Sequence, residues 1–221
     1  MNMPDNQQAF INKTKTFVRD CLTGQEGGHD WWHIVRVHQN ALSLLRDIKA
    51  NRLVVELAAL LHDIADAKFH DGDEEKGPEM AENFLLDNGL ASEIVDEVVF
   101  IIRHMSYKNS FGFKEEKSIE FQLVEDADRL DALGAIGIAR AFSFGGFKLR
   151  PFYDPDIPPK KFSDSASYKK STSPTINHFY EKLLLLKDNM NTRPAREMAE
   201  ERHQYMLKYL EQFYAEWEGK A

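Results

Sequence analysis

An all-α, single-domain fold is predicted by three features of this sequence. Apolar side chains recur every three or four residues through 31–48, 53–66 and 91–105, the spacing of a buried helix face. Clusters of Gly, Pro, Asp and Asn fall between those stretches rather than inside them. Neither an internal repeat nor a β-hairpin signature is present.

Residues 7–22 place Phe10, Ile11, Phe17, Val18, Cys21 and Leu22 on a first helix, which the glycines from Gly24 to Gly28 end. Asp30 is placed to cap the next helix, because its carboxylate can accept a backbone N–H. That helix runs through 31–48, with Trp31, Ile34, Val35, Ala41, Leu42, Leu45 and Ile48 as its expected core. His33 stands four residues before Val37 and so shares a face with core positions.

After a break near Asn51 comes LVVELAALLHDIAD, residues 53–66. Leu53, Leu57, Leu60, Leu61 and Ile64, with small Ala58, Ala59 and Ala65 between them, predict a helix buried on most sides. It ends at His62 and Asp63. The polar run DGDEEKGPE is a loop, and helices follow at 80–86 and 91–105, separated by DNG. Ile94, Val95, Val98, Val99, Ile101 and Ile102 taken alone would also suit a strand, but the helical spacing persists for over three turns.

Residues 106–114 read as a loop. The stretches 118–128 and 130–144 read as two helices, or as one with an irregularity at the carboxylates. Ala127, Ala132, Gly134, Ala135, Gly137 and Ala139 allow close helix contact there. From Gly145 to Pro174 the chain has five prolines and the run SDSASYKKSTSP, a connection of about 30 residues of the kind used as a lid or mobile segment. Order returns at Thr175, and a last helix spans about 192–217. The expected layout is one domain over 1–221, with a core at about 29–145, a mobile loop at about 145–174 and C-terminal helices at about 175–218.

The formal charge of −8, from 36 acidic and 28 basic residues, argues against a mainly electrostatic nucleic-acid binder, although a local basic patch can hold phosphate. The single Cys21 excludes an internal disulfide and fits a reducing compartment. The start MNMPDNQQAF carries no signal-peptide pattern, and no run approaches the roughly 18–20 apolar residues of a membrane span. A cytoplasmic protein without membrane or nucleic-acid partners is expected.

His33, the adjacent pair His62–Asp63 and Asp128 are far apart in sequence, yet each lies in or beside an apolar helical segment. Burying such groups is costly unless something pairs them. A hydrogen-bonded Asp–His pair would do so, and so would a metal ion. Two imidazoles and two carboxylates make a mixed ligand set taken by Mn²⁺, Fe²⁺, Zn²⁺, Co²⁺ or Ni²⁺, and the donor types alone do not choose among these. In an octahedral site, four protein ligands leave two positions for water and a substrate oxygen. A bound ion lowers the pKa of its water and neutralises phosphoryl charge.

His33 in HDWWHIVRV, His62 and Asp63 in LLHDIAD, and Asp128 in EDADRLDALGAIGIAR resemble the pattern of the HD-domain metal-dependent phosphohydrolases. The resemblance covers nearly the whole chain. The segment NHFYEKLLLLKDNMNTRPAREMAEERHQYM looks like a small bacterial subgroup of cytosolic HD hydrolases acting on nucleotides, including cleavage of nucleoside triphosphates to monophosphate and pyrophosphate. It implies an HD-domain helical bundle in which His33, His62, Asp63 and Asp128 hold one divalent ion. Mn²⁺ is favoured, with Mg²⁺, Fe²⁺, Co²⁺, Ni²⁺ and Zn²⁺ as alternatives. The implied partner is a small phosphorylated molecule, a nucleotide, bound by a monomer or homodimer. The GYP signature of cyclic-dinucleotide phosphodiesterases is lacking. Where some members read HDxxED, Asp66 supplies the first acid and Ala67 replaces the second.

Asp66, one turn beyond His62, is a candidate to orient water, accept a proton or support His62. The alternative is a solvent-facing residue at a helix end. His104, between Arg103 and Ser106, is a candidate phosphate contact or general acid, with a second-metal ligand and a core histidine as other readings. Asp131, three residues after Asp128, is placed to hydrogen-bond a ligand or a ribose hydroxyl. His29, Arg129, Lys160, His178 and Lys182 are candidate phosphate contacts. His178 and Lys182 stand one turn apart and with Lys187 could form a rigid phosphate wall. Lys161, Lys169, Lys170 and Arg140 belong to the same set, and each equally suits a solvated or acid-paired role. His38, five residues after His33, reads as structural or exposed. Phe144, Phe147, Phe152, Tyr153 and Phe179 could stack a base, but such stripes more often pack.

Two other functions compete. A non-catalytic nucleotide sensor would bind nucleotide saturably without turnover. A di-iron oxygenase of the same superfamily would need more histidine ligands than the four-residue pattern supplies, and counting bound metal would separate one ion from two.

Overall fold

In the computed structural model, which describes residues 4–23, 30–65, 73–105, 116–161 and 172–220, the periodic stretches form helices and no strand occurs among the described residues. The fold is an all-α helical bundle. It comprises α1 (Asp5–Cys21), α2 (Trp31–Leu44), α3 (Arg52–Leu61), α4 (Lys76–Asp87), α5 (Ser92–His104), α6 (Ile119–Asp131), α7 (Gly134–Phe147), α8 (Thr175–Glu181), a 3-10 helix (Leu183–Asn189) and α9 (Arg193–Trp217). The chain divides into two compact units, Met1–Asp128 and Arg129–Ala221. No single helix among the described residues is long and apolar enough to cross a membrane.

In the first unit α3 packs against α1, α2 and α5. Every α3 side chain from Leu53 to Leu61 is buried. Fully burying Leu57, Leu60 and Leu61 contributes about 1.5–3 kcal/mol each. Asn51 caps α3, its Oδ1 accepting from Val54 N at 3.5 Å. The helix stops at Leu61, and His62 to Ala65 form turns instead of continuing as helix. The two polar residues therefore leave the rod where its last carbonyls need other partners.

The α2 core differs from the expected set. Ile34 and Ala41 are buried, but Val37 and Leu44 complete the stripe, while Trp31, Val35, Leu42, Leu45 and Ile48 are half-buried. His33, Val37, Ala41 and Leu44 recur at four- and three-residue steps, which extends the face that His33 and Val37 were expected to share. The helix also ends at Leu44, short of residue 48. Asp30 caps it as expected, accepting from His33 N at 2.9 Å. α5 is helical despite its β-branched content. Phe17 and Phe84 stack at 4.1 Å between ring centroids on α1 and α4.

α6 runs unbroken through its carboxylates and ends at Asp131, so the interruption falls at Ala132 and Leu133. Gly134 explains the position: its φ of 68° is left-handed backbone that favours glycine.

In the second unit α9 packs on α7 and the 3-10 helix. Thr192 Oγ1 caps it by accepting from Ala195 N at 3.4 Å, and Ala195, Ala199, His203, Met206 and Leu210 form its buried stripe. Gly145, expected to begin the long connection, instead lies inside α7 and allows a close approach to α8. A Cβ on Gly145 would stand 2.1 Å from Thr175 Oγ1. The described part of the 145–174 connection is tied to α8 by Thr175 N donating to Pro151 O at 2.9 Å and Ile176 N donating to Phe152 O at 2.8 Å.

Candidate metal centre

Three elements of the first unit deliver the donors. α2 presents His33 one turn inside its N-terminus, the turn after α3 presents His62 and Asp63, and α6 presents Asp128. The His33 and His62 Nε2 atoms are 3.2 Å apart. Asp128 Oδ1 lies 3.5 Å from His33 Nε2 and 3.9 Å from His62 Nε2. Donor atoms of His33, His62 and Asp128 all fall within 4.8 Å of one another. Asp63 stands at the margin of this group, with Oδ2 3.9 Å from His33 Nε2.

The protonation pattern supports a cation at this point. His62 Nδ1 donates to Ala59 O at 3.0 Å, which leaves the lone pair on Nε2. That lone pair and carboxylate oxygens of Asp63 and Asp128 all lie within 3.9 Å of His33 Nε2, a gathering of acceptors that a cation can share. Ligands about 2.1 Å from one ion stand roughly 3.0 Å apart when adjacent and about 4.2 Å apart when opposite. The observed 3.2–3.9 Å separations lie between these limits. The His33 and His62 side chains are nearly buried whereas Asp128 is 39% exposed, so the cluster has a solvent-facing side. This His/His/Asp group can bind a divalent ion.

The other expected site residues have varied surroundings. His104 ends α5, and its Nδ1 donates to Phe100 O at 2.8 Å, so Nε2 is the ring atom suited to proton transfer. Neighbouring Arg103 pairs with Glu75 at 2.9 Å. Asp131 is buried and accepts from Arg140 at 2.6 Å. Arg129 donates to Asn189 O at 2.5 Å. Lys160 and Lys161 are exposed, the former with its backbone N–H on Glu181 Oε1 at 3.1 Å. Burial, then the charges of Lys182 and Arg150, push the His178 pKa down to about 3, so its ring is neutral near pH 7. Lys187 is held by Glu200 at 3.2 Å and Asp188 at 3.4 Å, which raise its pKa. His29, Asp66, Ser106, Lys169 and Lys170 lie outside the described residues. Phe179 and Tyr153 pack in the second unit, against Tyr209 and Trp217 respectively.

Sequence reading missed a buried polar network behind the donors. His38 is buried, and its Nε2 lies 2.7 Å from Glu56 Oε2, while Arg52 Nε donates to Glu56 Oε1 at 2.6 Å. The available signal was Glu56 itself, a lone acid inside LVVELAALL that demands a buried partner. Burial alone would raise the Glu56 pKa, but hydrogen bonds and charge from His38 and Arg52 reverse that and hold it below the usual carboxylate value. A depressed carboxyl stabilises the fold at pH above its unfolded value and loses that contribution as pH falls through the folded one. Thermal midpoints measured from about pH 6 to about pH 3 should drop more steeply for the wild type than for Glu56→Gln. Parallel curves would show that Glu56 does not carry the effect.

Related proteins share this architecture. An HD-domain family model matches residues 31–133, which include His33, His62, Asp63 and Asp128. An uncharacterised Bacillus subtilis protein, YpgQ, is 41% identical over 90% of this chain and 89% of its own. A crystal structure of an HD-superfamily hydrolase from Bacillus thuringiensis superposes with a TM-score of 0.77 at 46% identity, covering 96% of this chain and 98% of that one. A structure of Bacillus subtilis YpgQ in complex with ADP gives a TM-score of 0.76 at 38% identity, covering 95% and 96%. With its helical scaffold, its His/His/Asp convergence and these relatives, the chain belongs to the HD-domain superfamily.

Proposed function

We propose that this HD-superfamily metal-dependent phosphohydrolase acts on nucleotides, cleaving a nucleoside triphosphate to monophosphate and pyrophosphate. The convergence of His33, His62 and Asp128 within 4.8 Å carries the metal part of this reading. The nucleotide part is supported by the Bacillus subtilis relative that was crystallised with ADP.

In this reading His33, His62, Asp63 and Asp128 hold one divalent ion, Mn²⁺ favoured. When bound, the ion supplies an acidified water and neutralises charge on phosphoryl oxygens. His62 is kept in the tautomer that ligation needs by its hydrogen bond to Ala59. Attack by water on the α-phosphorus forms one P–O bond and breaks the bond to the β-phosphoryl group, with pyrophosphate leaving. Asp66 or His104 manages the proton transfer. Asp131 positions a ribose hydroxyl. His29, Arg129, Lys160, His178 and Lys182 share the contacts to phosphate oxygens, and His178, neutral near pH 7, does so as a hydrogen-bond donor.

The test is a panel of nucleoside mono-, di- and triphosphates assayed with Mn²⁺, Mg²⁺, Co²⁺ and Ni²⁺, phosphate and pyrophosphate being measured separately. Triphosphate hydrolysis with equimolar pyrophosphate, fastest with Mn²⁺, is expected. Saturable nucleotide binding without turnover under every ion would overturn the enzymatic reading in favour of a sensor. Release of single phosphates would move the cleaved bond.

A further inference from the structure

The donors of the metal centre come from three separate elements, so their spacing depends on how α2, the α3 end and α6 are held together. Apolar packing is non-directional and sets such spacing loosely, whereas hydrogen bonds impose a distance and an angle. Besides the donors themselves, two side chains of α2 among the described residues make polar contacts with the other two elements. Asn40 Nδ2 donates to Ala127 O at 3.1 Å, one residue before Asp128 on α6. His38 Nε2 meets Glu56 Oε2 at 2.7 Å on α3, whose last turn leads into His62.

We infer that Asn40 and His38 are positioning residues, which pin α6 and α3 to α2 and thereby set the separations among His33, His62 and Asp128. The inference rests on the metal-site reading above. Asn40 follows His33 by two helical turns, so both project from one face of α2. That face meets α6 twice at adjacent residues, through Asn40 on Ala127 and through His33 Nε2 at 3.5 Å from Asp128 Oδ1. The first contact therefore fixes the backbone from which the second is made. On the α3 side, Arg52 holds the other Glu56 oxygen at 2.6 Å and fixes the orientation of the carboxylate that His38 grips. Supporting groups of this kind orient ligands, and their loss typically lowers metal affinity by about 10–100-fold.

The experiment titrates Mn²⁺ alone into the metal-free full chain by calorimetry and records the visible spectrum with Co²⁺, which reports donor geometry. Asn40→Asp keeps the side-chain size but cannot donate, so it and Asn40→Ala should weaken Mn²⁺ binding by about 10–100-fold and shift the Co²⁺ bands. His38→Leu should act in the same direction, and His38→Gln, whose amide can still donate to Glu56, should restore most of the affinity. Leu85→Ala, a core truncation on α4, should lower the thermal midpoint more than any of these yet bind Mn²⁺ as the wild type does. The inference is overturned by Asn40 variants that bind normally, or by Leu85→Ala losing as much affinity as they do. A wild-type chain that binds no Mn²⁺ would sink the metal-site reading itself and this inference with it, an outcome distinct from both.

Discussion

Asp63→Ala is expected to abolish stoichiometric Mn²⁺ binding and, with it, nucleotide hydrolysis. The variant tests the donor whose placement is least central: Asp63 Oδ2 is 3.9 Å from His33 Nε2, whereas His33, His62 and Asp128 already converge without it. With Asp63 as a fourth ligand, its removal costs a charge-bearing donor and should lower affinity by more than about 100-fold, beyond the range typical of supporting residues. With only three ligands, the affinity would fall modestly and turnover would survive. The fold should not be affected. The thermal midpoint of the metal-free variant checks this separately from metal binding. Calorimetric titration, metal quantification and the nucleotide assay together read the result. Undiminished hydrolysis by metal-stripped Asp63→Ala would end the mechanism.

Gly137→Ala should strongly destabilise the second unit. A Cβ at this position would stand 2.2 Å from Ala132 O and 2.5 Å from its carbonyl carbon, both backbone atoms that cannot swing aside. Relief requires moving the start of α7 away from the turn at Ala132 and Leu133, where Gly134 already takes a φ of 68°. Overpacking of this kind costs about 3 kcal/mol when the neighbour is rigid. Helix propensity, which favours Ala over Gly by about 1 kcal/mol, works in the opposite direction and is too small to compensate. Chemical denaturation should show a lower midpoint with an unchanged slope. A variant as stable as the wild type would mean that the α7 entrance is softer than its geometry indicates. Gly146→Ala is the matched control, since no heavy atom lies within 4 Å of its Cβ position.

The helical class was legible because periodicity is a local property. α3 was identifiable from the run LVVELAALL and is buried as expected, and α9 spans Arg193–Trp217, close to the expected 192–217. The α6–α7 break was not legible at its true position. Carboxylates at 125, 126 and 128 look like an interruption, yet the helix continues through them, and the break depends on a glycine conformation three residues past its end. On α2 the shared face of His33 and Val37 was legible, whereas Trp31, Val35, Leu42, Leu45 and Ile48, expected in the core, are half-buried. His33 is 1% exposed and occupies a core position that only a polar partner could justify.

Local spacing and capping were enough for the helical class and for the cap at Asp30, and the resemblance to the HD pattern pointed to the residues at which to look for a metal. Tertiary structure alone decided that His33, His62 and Asp128 meet, that Asp63 stands at their margin, and that Asp131 faces Arg140. Intervals of 29 residues between His33 and His62, and of 87 between Asn40 and Ala127, leave no periodic trace in the sequence. Spacing along a helix fixes which face a side chain occupies, but only packing between helices fixes what that face meets.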